Sequence, residues 1–61
     1  MFVIRNTETG RYVTPPGSRG SYTTALQHAR TWSTREAAER ERCPGNERVL
    51  SVDEIMRKAN P

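Results

Sequence analysis

Phe2-Val-Ile-Arg-Asn-Thr-Glu-Thr-Gly-Arg-Tyr-Val-Thr14 decides how the chain folds. Phe2 to Arg5 is an aromatic and β-branched run of the kind that forms strands. Asn6 to Gly10 is a polar stretch ending in glycine. That is the pattern of a short hairpin loop whose last residue takes the left-handed conformation. Arg11 to Thr14 reads as the return strand. Alternation puts Phe2 and Ile4 on one face, with Tyr12 able to share it.

Pro15-Pro16 ends the second strand, because neither residue can donate to a ladder. Gly17-Ser-Arg-Gly-Ser21 then reads as an exposed, flexible loop. Thr24-Ala-Leu-Gln27 fits a capping box that starts a helical turn from about Ala25 to Arg30. Ser33-Thr-Arg-Glu36 fits a second box, with Ser33 as cap and Trp32 stapled against Ala37. The helix it starts runs to about Arg42 and is stopped by Pro44-Gly-Asn46. Its small residues Ala37 and Ala38 allow close approach to a sheet, with Trp32 filling the gap.

Glu47-Arg-Val-Leu50 reads as a third strand. Ser51-Val-Asp-Glu54 is a third capping box, opening a last helix from about Val52 to Ala59. If the strand continues through Val52, Asp53 becomes the cap. The expected fold is a single α+β domain over residues 1–61. It is a three-stranded antiparallel sheet, the N-terminal hairpin plus one later strand, with helices packed on one face.

The composition limits what such a domain can do. Only 33% of the 61 residues are hydrophobic. A core this thin supplies no more than about 3–5 kcal/mol, so small folds often carry a staple. Cys43 is the only cysteine, which excludes an internal disulfide. One cysteine with one histidine, His28, cannot assemble a zinc site of about four ligands. Local propensity or self-association remains, so a homodimer is one expectation.

The solitary thiol suits a reducing compartment. No apolar run approaches the ~20 residues of a membrane span. The N-terminal Met-Phe-Val-Ile-Arg is too short for the apolar region of a signal peptide. The expectation is a cytoplasmic protein with no membrane association.

The net charge is +3. It lies in residues 1–30, where four arginines face a single glutamate. Residues 31–61 balance. All ten basic residues but Lys58 are arginine, the planar cation that binds carboxylate and phosphate with two parallel bonds.

Catalytic constellations are lacking. His28 has no obvious acid–base partner. Cys43 lies near a helix end where the dipole disfavours a thiolate, so a buried or half-buried structural cysteine is expected. Glu36 and Glu39 have arginine neighbours at helical distance, which reads as a solvated ion-pair face. No glycine-rich phosphate loop occurs, so no cofactor is expected. The expected activity is therefore binding. The candidate contacts are Arg5, Arg11 and Tyr12 on the hairpin, Arg19 in the glycine-rich loop, and Tyr22 after it. A protein partner is the first expectation, since tyrosine and arginine dominate hot spots. Nucleic acid is the alternative, through electrostatics and tyrosine stacking.

Phe2 to Tyr12, Tyr22 to Ala38 and Asn46 to Ile55 together resemble small uncharacterised phage and prophage proteins. The marks are the Thr9-Gly-x-Tyr12 hairpin and the Ala29-Arg-x-Trp32-x-Thr34-x-x-x-Ala38 helix entry. The resemblance implies no site residue. It does imply a setting: a phage accessory factor that binds and inhibits a host protein or a defence complex such as CRISPR-Cas.

Overall fold

The central strand of the sheet is β1, Phe2–Asn6. The structure, a computed structural model, describes residues 1–59. The hairpin closes as its sequence requires. The Asn6 amide donates to the Arg11 carbonyl at 2.7 Å, and the Gly10 amide to the Asn6 carbonyl at 2.8 Å. The Asn6 side-chain oxygen accepts from the Glu8 and Thr9 amides at 2.8 and 3.0 Å. Gly10 has φ +75°, where a side chain would be strained.

The sheet is antiparallel and has four strands, in the order β3-β2-β1-β4. Strand β2 is Tyr12–Val13, β3 is Tyr22–Thr23 and β4 is Glu47–Ser51. The expected three strands become four because Pro15–Ser21 is itself a hairpin loop. It returns Tyr22 and Thr23 onto Val13 and Tyr12. Within that loop the Ser18 hydroxyl donates to the Pro15 carbonyl at 2.7 Å, and the Thr14 hydroxyl donates to the Gly20 carbonyl.

Two caps differ from expectation. The Thr23 hydroxyl, not Thr24, accepts from the Ala25 amide, and Leu26–His28 forms a 3-10 turn without a side-chain cap. Helix α1, Arg35–Glu41, is capped by Thr34 rather than Ser33, its hydroxyl accepting from the Ala37 amide at 3.1 Å. Helix α2, Val52–Ala59, follows directly from β4.

Strand register assigns the faces. Phe2, Ile4 and Asn6 pair with Ser51, Val49 and Glu47. The core of Ile4, Trp32, Ala38 and Val49 lies on this side, with Phe2, Val13 and Ala37 packed against it. Trp32 joins the sheet through reciprocal 2.8 Å backbone bonds with Phe2. The two alanines let α1 lie close above it, as their size predicts.

Tyr12, by contrast, pairs with Arg5. It therefore lies on the opposite face from Phe2 and Ile4, together with Val3, Arg48 and Leu50. Leu50, Arg5 and Tyr12 line one cleft with Glu54, Ile55 and Lys58 of α2. The helices thus flank opposite faces of the sheet, not one. Because β4 runs straight into α2, the chain turns onto the side that α1 leaves open.

Candidate binding surface

The face beneath α2 carries the most distinctive arrangement. Arg5 and Arg48 are directly opposite each other on β1 and β4, and both are exposed. The Cα atoms of such a hydrogen-bonded pair lie ~5.5 Å apart, with both side chains on one face. Like charges so placed destabilise a sheet. Among the described residues neither guanidinium has a carboxylate within ion-pair distance. The one ion pair there joins Arg42 to Glu39. The Arg5 Nε donates to the Gly10 carbonyl at 3.2 Å, which holds Arg5 toward the hairpin. Arg48 makes no side-chain hydrogen bond among the described residues.

Two clefts adjoin this pair. One, about 290 Å³, is lined by Arg5, Thr7, Arg48 and Leu50. The other, about 350 Å³, lies between Tyr12, Leu50 and α2. Arg5 and Leu50 border both.

The structure divides the candidate contacts. Arg5 and Tyr12 come together on this face. Arg11 and Arg19 are exposed in the two hairpin segments. Tyr22 lies on the other face, where its hydroxyl donates to Glu47 Oε2 at 2.5 Å. Glu47 is only 7% exposed. Its Oε1 accepts from the Cys43 amide at 2.7 Å. The hydrogen bond to Glu47 raises the Tyr22 pKa above its ordinary 10.0, the nearby Asn6 amide works against this, and burial adds to the rise.

The folded state keeps the Tyr22 proton to a higher pH than the unfolded chain. That stability is complete below pH ~10 and is lost as pH rises through the folded-state pKa. Tyr22→Phe is expected to flatten the loss of stability above pH ~10, measured by denaturant titrations at stepped alkaline pH. An unchanged alkaline slope would contradict this.

Arg48 and Lys58 were not legible as site residues. Each lies in the charge-balanced half of the sequence, and only register and the α2 turn bring them to Arg5. Cys43 is exposed rather than buried, because it follows α1 in the bend that leads to β4. His28 is also exposed, and no hydrogen bond joins the two among the described residues. No three of the described His, Cys, Asp and Glu residues gather closely enough to hold a metal. No described helix is long and apolar enough to cross a membrane.

Comparison with known proteins finds no matching family model, no matching curated protein and no matching solved structure.

Proposed function

We propose that this chain is a small non-enzymatic binding protein that covers an acidic surface of another protein with the sheet face of Arg5, Tyr12 and Arg48. The observation that carries the reading is the Arg5–Arg48 pair, a like-charge juxtaposition with no carboxylate partner among the described residues. A sheet that tolerates such a local cost commonly does so where function requires it. An external carboxylate would relieve the repulsion and accept two parallel bonds from each guanidinium. Tyr12 beside the pair adds the aromatic area typical of hot spots. The resemblance to phage proteins supplies the wider setting, an accessory factor that inhibits or modulates a host protein or defence complex.

A second reading is a nucleic-acid binder. Arg35, Arg42 and Arg48 line one further cleft along the β4 edge, so cations continue beyond the sheet face. Two of these are already engaged, however. Arg42 pairs with Glu39, and Arg35 lies 5.1 Å over the Phe2 ring.

Arg48→Glu separates function from folding. It converts the like-charge pair into an opposite-charge one, so stability should rise by ~0.2–1 kcal/mol. Capture of the partner from a bacterial lysate should fall in the same variant. A thermal melt and a quantitative pull-down check both. A destabilised variant, or one that captures the same partner undiminished, contradicts the proposal.

A further inference from the structure

We infer that the cleft between Tyr12, Leu50 and α2 anchors one apolar side chain of a partner segment whose neighbouring residues are acidic. The inference rests on the binding reading above and names its chemistry.

The cleft combines two kinds of surface. Its walls are Tyr12, Leu50 and Ile55, all half-buried. Its rim carries the exposed cations Arg5 and Lys58, and Arg48 lines the cleft beside it. Among the described residues Glu54 is the only acid along it. At about 350 Å³ it is at the small end of ligand sites, which span roughly 300–1,000 Å³. One aliphatic or aromatic side chain suits that space better than an extended ligand.

Both parts are used only by a ligand with both characters. An apolar anchor desolvates Tyr12, Leu50 and Ile55. Carboxylates on either side of it reach the guanidiniums of Arg5 and Arg48 and the ammonium of Lys58.

A nucleic-acid strand fits less well. Strand-binding grooves stack successive bases on several aromatic rings and follow the phosphates with a row of free cations. Here Tyr12 is the one aromatic residue in the cleft, and aliphatic side chains face it. Tyr22 is on the opposite face with its hydroxyl engaged. Along the β4 edge, the Arg35 and Arg42 guanidiniums reach backbone carbonyls of β4.

The test is fluorescence anisotropy on the intact chain with three labelled probes. One is a short peptide of glutamates with a single central leucine. The second replaces that leucine by serine. The third is an oligothymidylate of equal length. The leucine peptide should bind about tenfold more tightly than the serine peptide, the effect of burying one leucine side chain. Raising the salt concentration should weaken both peptides but leave the ratio between them. Lys58→Glu, an exposed change on α2, should weaken both peptides. Tyr12→Ala, once circular dichroism shows it folded, should abolish the preference for leucine.

Equal affinity for the two peptides overturns the inference. So does tighter binding of the oligothymidylate, or no binding of either peptide. A lysate partner lost on Arg48→Glu but not displaced by the leucine peptide would remove the anchoring site and leave the binding face standing. Absence of both a partner and peptide binding would remove both.

Discussion

Trp32→Ala is expected to leave the chain without a cooperative fold. The Trp32 indole is 7% exposed and packs with Ile4, Ala38 and Val49, which are most of the buried apolar residues on the α1 side of the sheet. Its truncation costs about 3–5 kcal/mol, from lost transfer energy and the cavity left behind. A core of this size supplies about the same amount in total. The backbone bonds between Trp32 and Phe2 would persist only if the chain stayed docked, and the indole is what docks it. The measurement is a thermal melt by circular dichroism, compared with Arg30→Ala. The Arg30 guanidinium lies over the same ring, 4.7 Å from its centroid. Losing that contact costs ~0.5–1 kcal/mol. A Trp32→Ala variant that melts cooperatively within a few degrees of the parent would refute the account of the core.

Glu47→Ala is expected to have the second largest effect. Both carboxylate oxygens are occupied, one by the Tyr22 hydroxyl and the other by the Cys43 amide. Removing them leaves two part-buried donors without an acceptor, at roughly 1–3 kcal/mol each. The two bonds also link separate parts of the chain. One ties the outermost strand β3 to β4, and the other fixes the bend between α1 and β4. The loss should therefore appear as a lower melting temperature and as faster hydrogen exchange in β3 and in that bend. Tyr22→Phe removes only the first bond and should cost ~1 kcal/mol, or about 4–8 °C in a domain this small. If Glu47→Ala melts no lower than Tyr22→Phe, the Cys43 bond contributes nothing and the bend is held by other means.

Much of this architecture is readable where local chemistry is strong. The Asn6 to Gly10 turn, the Trp32 anchor, the alanine face of α1 and the turn from Ser51 into α2 follow from residues close in sequence. Strand β3 is hidden because Tyr22 and Thr23 are too few to show alternation and sit among glycine and serine. The face of Tyr12 is hidden for another reason. Its side depends on which β1 residue it opposes, and a slip of one residue reverses every side chain. The Arg5–Arg48 pair is harder still. It joins strands distant in sequence, so neither arginine carries a local sign of the other. The candidate site was legible only as composition, arginine with tyrosine, and the fold selects which of those residues meet.

The open side of β4 has a further consequence. Register directs the Glu47 and Val49 carbonyls away from β1. The first accepts from Arg42 Nη1 at 3.1 Å and the second from Arg35 Nη1 at 3.5 Å. An incoming extended chain would find these acceptors already taken and two positive charges in its path, and natural proteins deter amyloid-like stacking by such means. Concentrated solutions of the folded chain should accordingly stay clear and thioflavin-negative, whereas Arg35→Ala with Arg42→Ala should shorten the lag before fibrils form.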